Sequence, residues 1–256
     1  MRQVNKPAFK RLAAIGLLFT VFTSSVVMNG VFYQMGREYF LELNKVRLDP
    51  LGVGVYAHEP IKPREPNERR VVFFGDSRAL MWATPKAPAG IHFINRGVGQ
   101  QTTLQALGRF EQEIPALQPD IVVIELGVND LKAIPLFPDR RREIVESAQK
   151  NIRTIVGRVH DLGATVVLVK VFPLGPVPLT RRPFWSGDVA EAIGQVNRYI
   201  TSLTDGRTLV LSADQVLLDD SGKYRDGFAL DMLHLTPRAY ETVNEQQLIP
   251  LLKSLR

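Results

Sequence analysis

The sequence predicts a three-layer α/β fold, a parallel sheet between two layers of helices, preceded by an apolar helix. Short apolar runs recur at 71–74, 91–94, 121–126, 165–171 and 208–211, as in strands buried on both faces. Stretches of helical character lie among them at 141–160, 189–203 and 237–255. Strand alternating with helix is the pattern of a parallel sheet covered on both sides.

From the amino terminus, Arg2, Lys6, Lys10 and Arg11 come before any acidic residue and carry most of the net charge of +6. A basic cluster bordering an apolar run points to a membrane and away from nucleic acid. Residues 1–11 therefore read as a cytoplasmic basic tail. From Leu12 to Gly36 no charged residue occurs. A helix over that stretch, rising roughly 1.5 Å per residue, would cross the roughly 30 Å hydrocarbon core of a bilayer. Tyr33, Tyr39 and Phe40 would anchor it at the interface. A cleaved signal peptide ending near Thr23-Ser24-Ser25 is the alternative, with secretion as its outcome. The apolar character continues through Val26-Val27-Met28 and Val31-Phe32, which favours an uncleaved signal-anchor over 12–36 and also over a buried soluble helix. The basic tail then stays in the cytoplasm, and the main domain lies outside the cell membrane.

Residues 37–69 read as a juxtamembrane helix over 37–49, ended by Asp49-Pro50, and a proline-rich linker over 57–69. Residues 70–256 form the main domain. Its helix at 141–160 places Ile144, Ile152, Ile155, Val156 and Val159 near one face, and Gly163 closes it. With no cysteine in the chain, disulfides, thiolate metal sites and cysteine nucleophiles are excluded. The four histidines, His58, His92, His160 and His234, form no H-E-x-x-H pair. There is no P-loop, and Gly97-Val98-Gly99 lacks the third glycine of a dinucleotide loop, Thr102 standing there. Neither cofactor nor metal is expected.

Ligands bind an open parallel sheet at the carboxyl ends of its strands. Three such ends carry unusual residues: Gly75-Asp76-Ser77-Arg78, the glycine loop from Asn95 to Thr102, and Gly127-Val128-Asn129-Asp130. Near the end of the chain comes Asp231-Met232-Leu233-His234, just before Thr236-Pro237, a cap and first turn of helix. Together these residue types suit ester cleavage. A serine hydroxyl needs a base to take its proton, which neutral imidazole can do, and the imidazole needs an acceptor behind it. Ser77, His234 and Asp231 fill those roles. Negative charge on the attacked carbonyl oxygen needs donors, for which the Asn129 amide, the Ser77 N–H and a glycine-loop N–H are candidates. Taken singly, Ser77 suits a helix cap, Asn129-Asp130 a turn and His234 a structural loop histidine.

These four blocks, in this order over roughly residues 70–240, resemble the SGNH hydrolases, also called the GDSL esterase/lipase family. The resemblance implies a flavodoxin-like sheet and metal-free hydrolysis through an acyl-serine. It assigns the nucleophile to Ser77, the oxyanion donor to Asn129, the base to His234 and its orienter to Asp231. Two departures stand out. Arg78 replaces the usual leucine or isoleucine and puts a charge beside the nucleophile. Gln100 aligns with the family glycine whose N–H serves the oxyanion, so Gly99 and Gln100 are both carried as donors.

The segment Pro173–Gly187, with Arg181, Arg182, Phe184 and Trp185, follows a strand and reads as a rim over the crevice or as a stiff surface loop. The expected activity is hydrolysis of a carboxylic ester, on a lipid or as an O-acetyl group on carbohydrate. An O-acyltransferase using the same triad and a non-catalytic envelope binding protein are the alternatives.

Overall fold

The computed structural model describes residues 6–86 and 88–255, and the chain divides into two compact units, 1–50 and 51–256. In the first, residues Lys6–Leu48 form one uninterrupted helix, α1, which takes in both the apolar segment and the segment expected beside the membrane. Its apolar residues surround the axis instead of forming a stripe. A soluble surface helix would show a stripe. Phe9–Leu48 has the length and hydropathy to cross a membrane, with none of its apolar window buried in protein.

The second unit is a five-stranded parallel sheet in the order β2-β1-β3-β4-β5, the flavodoxin-like order. The strands are β1 (Arg69–Gly75), β2 (Ile91–Gly97), β3 (Ile121–Glu125), β4 (Thr165–Val169) and β5 (Thr208–Leu211). Side chains alternate between two cores, as the pleat requires. Val72, Phe74, Val122, Ile124, Val166 and Leu168 meet α3 (Thr103–Glu113), α5 (Arg141–Asp161) and α6 (Asp188–Ser202). Val71, Phe73, Ile121, Val123, Val167 and Val169 meet α7 (Asp214–Leu217) and α8 (Pro237–Val243). Each fully buried aliphatic or aromatic side chain contributes roughly 1.5–3 kcal/mol, which explains why β1 and β3 read as unbroken apolar runs.

Two elements differ from the expectations. Helix α3 has no counterpart among the expected helices, although Thr102 and Gln105 form a capping box at its start. The helix expected over 237–255 is interrupted by a π-helical turn at Asn244–Leu248 before α9 (Ile249–Ser254). Pro250 has no N–H to give and its ring crowds the preceding turn, which a widened turn relieves. Asn244 at that turn accepts from Trp82 Nε1 (2.7 Å) and donates to the Ala83 carbonyl (2.8 Å).

The proline-rich stretch is fastened where the central strands β1 and β3 begin. Arg64 pairs with Asp120 at 2.7 Å, and Arg70 Nη2 donates to the Lys62 carbonyl at 2.8 Å.

Gly75 on β1 stands in register with Gly97 on β2 and Glu125 on β3. The three loops that follow therefore leave the sheet side by side. Helix α2 (Ser77–Leu80) lies so close to β2 that a Cβ on Gly97 would sit 2.1 Å from Leu80 N. Backbone cannot yield as a flexible side chain can. Gly97→Ala is expected to lower stability by about 3 kcal/mol or more, seen as a fallen urea midpoint, and an unchanged midpoint would contradict this packing.

Candidate active site

Asp76 caps α2, its Oδ1 accepting from Arg78 N at 2.9 Å, which makes Ser77 the first helical residue. At that position a backbone N–H has no carbonyl partner within the helix. The Ser77 side chain, half-buried, lies 2.9 Å from His234 Nε2. His234 Nδ1 lies 2.8 Å from Asp231 Oδ2. A carboxylate only accepts, so Nδ1 carries the proton and Nε2 is left to accept from the serine hydroxyl.

A tight loop delivers this imidazole. Ala229 and Leu235 pair as an isolated antiparallel bridge, and Leu230 N donates to the His234 carbonyl at 2.9 Å. Thr236 caps α8, with Pro237 in the first turn, as the sequence predicts. Asp231 Oδ1 accepts from Leu233 N (2.7 Å) and His234 N (2.8 Å). Burial works to raise the Asp231 pKa, but the hydrogen bonds from the His234 ring and these two N–H groups prevail and hold it below the ordinary carboxylate value.

Asn129, buried in α4 (Val128–Leu131), donates from Nδ2 to the Gln101 carbonyl at 2.9 Å. That bond joins the loop after β3 to the loop after β2, and the amide nitrogen has a second hydrogen to give. Gln100 is exposed and sits in the left-handed region at φ 64°. Glycine adopts that conformation without cost, and glutamine holds it here at a cost of roughly 1–2 kcal/mol. Gly99, also exposed, precedes it.

Behind this loop Asp130 accepts from Thr103 N (2.9 Å) and Thr103 Oγ1 (2.7 Å). Burial raises its pKa from 3.8 to about 6, against the pull of the Thr103 hydrogen bonds. A folded-state value above the unfolded one means that the fold favours the protonated carboxyl. Its stabilisation is full below about pH 4 and is lost as pH rises through about 6. Asp130→Asn does not titrate there. Wild type minus variant stability, from urea midpoints, is therefore expected to fall by on the order of 3 kcal/mol between pH 4 and pH 7. A difference flat with pH would refute this.

Arg78, the charge that the sequence sets next to Ser77, turns its guanidinium inward. It is completely buried beneath the turn, 3.5 Å from Glu125 Oε1. Glu125, which sequence reasoning passed over, ends β3 inside the protein next to Asp76. Burial raises both pKa values, Glu125 most, with the Asp76 charge adding to its rise. An acidic residue at a strand end gives no signal of its own that it will turn inward.

The Pro173–Gly187 segment touches the His234 loop, Gly175 N donating to the Met232 carbonyl at 2.9 Å. Leu179 and Phe184 are 74% and 66% exposed. A cavity of about 390 Å³ lined by Tyr56, Glu59, Arg96 and Glu113 includes none of the hydrogen-bonded row.

Known proteins resemble this chain in fold and in family. Structures similar to this chain include a GDSL-like lipase from Bacteroides thetaiotaomicron, with a TM-score of 0.63 and 22% identity over 80% of this chain and 98% of that one. A carbohydrate acetylesterase from Sinorhizobium meliloti has a TM-score of 0.58 and 20% identity over 74% of this chain and 100% of the other. A lipase from a goat rumen metagenome has a TM-score of 0.53 and 15% identity, covering 69% and 94%. At these identities the likeness is one of fold. No curated protein matches the chain in sequence. The family model for GDSL-like Lipase/Acylhydrolase matches residues 73–242, which hold every block of the site, and the chain accordingly belongs to that family of ester-hydrolysing enzymes.

Proposed function

We propose that the protein is a membrane-anchored serine esterase that cleaves carboxylic esters through an acyl-Ser77 intermediate. The observation that carries this reading is the continuous row from Ser77 Oγ to His234 Nε2 (2.9 Å) and from His234 Nδ1 to Asp231 Oδ2 (2.8 Å). In this mechanism Ser77 Oγ attacks the ester carbonyl as its proton passes to His234 Nε2, and Asp231 stabilises the imidazolium that forms. The oxyanion is received by the Ser77 N–H, a backbone N–H of Gly99 or Gln100, and the Asn129 amide. His234 then protonates the departing alcohol, and water attacks the acyl-serine by the same route in reverse.

Residues 12–36 within α1 hold the enzyme in the membrane, and the basic residues before them keep the amino terminus in the cytoplasm. The catalytic domain then works outside. Loops following β3, β4 and β5 expose Leu136, Phe137, Leu179, Phe184 and Leu230. Apolar side chains on the loops at this end of the sheet favour an acyl ester presented at a lipid surface, and an O-acetyl carbohydrate is the competing substrate. The full chain in detergent micelles, given aryl esters of two and of ten carbons, is expected to prefer the longer chain, and a fluorophosphonate probe is expected to label Ser77. Preference for the acetyl ester would move the substrate to carbohydrate, and a folded protein that neither hydrolyses nor labels would end the esterase reading.

A further inference from the structure

We propose that Arg78 is a positioning residue that sets the His234 imidazole against Ser77. The inference rests on the catalytic reading above and deepens it. Arg78 follows Ser77 directly, and its Nε donates to the carbonyl of Leu233, the residue directly before His234, at 2.7 Å. That carbonyl belongs to the peptide unit whose other end, the His234 N–H, donates to Asp231 Oδ1 at 2.8 Å. The unit is thus gripped at both ends, which fixes the direction in which the His234 side chain leaves the backbone. Nη1 reaches the Phe172 carbonyl at 3.3 Å, and the guanidinium lies 5.5 Å from the centroid of the Phe172 ring. Phe172 precedes the rim segment, so one side chain ties together the nucleophile turn, the base loop and the root of the rim.

The grip is rigid at its Arg78 end, which is enclosed. Arg78 is wholly buried, its backbone carbonyl accepts from Tyr240 Oη at 2.8 Å, and its backbone N–H is held by Asp76. The Arg78 guanidinium pairs with Glu125 Oε1 at 3.5 Å, and its charge also favours the buried Asp76 carboxylate. A buried charge without such a partner would be costly. Leucine or isoleucine, the residue of the related motif, could fill the space but could donate to neither carbonyl. In this chain, the link from nucleophile to base is polar and directional where the related motif provides apolar packing.

The test uses the full chain in detergent micelles, with active sites counted by fluorophosphonate titration so that kcat refers to folded enzyme. Two variants are compared with wild type. Arg78→Lys keeps the charge but has one head for two carbonyls. The double variant R78M/E125Q removes the guanidinium together with the Glu125 carboxyl that pairs with it. Both are expected to lower kcat per active site, by about 10-fold for the lysine and about 100-fold for the double variant, with KM within twofold of wild type. The phosphonylation rate of Ser77 should fall in parallel. A residue that only supports the fold would lower the melting temperature and the count of active sites, and leave kcat per site alone. That result, or failure of both variants to fold, would overturn the proposal. If instead wild-type hydrolysis does not depend on Ser77, it is the catalytic reading that fails.

Discussion

Replacing Ser77 with alanine is expected to lower kcat for an aryl ester by about 10⁴- to 10⁶-fold while KM moves no more than a few-fold. The hydroxyl is the group of the site placed to become an acyl carrier, and it is hydrogen-bonded to His234. The remaining donors, Asn129 and the backbone N–H groups, would still bind and polarise the carbonyl, so a small residual rate over water survives. Stability should change little, since one partly exposed hydrogen bond is worth about 1 kcal/mol. The variant should melt with wild type and lose fluorophosphonate labelling completely. Retention of a tenth of the wild-type kcat would remove Ser77 from the mechanism.

The fold was legible where burial is apolar on both faces. β1 and β3 sit at the centre of the sheet, and their residues 71–74 and 121–124 are all buried hydrophobics. Helix α3 was not legible, and its buried face explains why. Of the five residues it buries, Thr103, Arg109 and Glu113 are polar. Arg109 donates to the carbonyls of Gly75 (3.0 Å) and Arg96 (2.9 Å), pairs with Glu113, and lies over the Phe74 ring. The apolar spacing of α3 is confined to Ala106, Leu107 and Phe110, with ions turned inward beside them, and the capping box is its clearest signal.

The same contrast holds at the site. Ser77, Asp231 and His234 could be named because ester chemistry restricts the residue types and the last two lie on one short loop. The structure brings the three side chains into one row and ties Asn129 to the glycine loop. The support beneath them could not be read. Glu125 looks like the polar end of a strand, and Arg78 looks like a charge set beside the nucleophile. The Arg78 guanidinium is placed by Leu233 and Phe172, which lie far away in sequence and offer backbone carbonyls that any residue would offer. Contacts to backbone leave no residue-type signature.

The Asp231 side chain separates orientation from mere charge, and Asp231→Asn is expected to lower kcat by about 10⁴-fold. In the wild type, Oδ2 accepts from His234 Nδ1, and Oδ1 accepts from the N–H groups of Leu233 and His234. Asparagine keeps one oxygen, and the two backbone donors claim it. The amide NH2 then faces His234 Nδ1, and as a donor it stabilises the tautomer that carries its proton on Nε2. An imidazole in that form cannot accept from Ser77. The loop geometry survives, so KM and the melting temperature should stay near those of wild type, while kcat and the phosphonylation rate of Ser77 collapse together. A milder fall, of about tenfold, would mean that Asp231 supplies charge without setting the tautomer. The proton on Nδ1 would then have to be held by some other group.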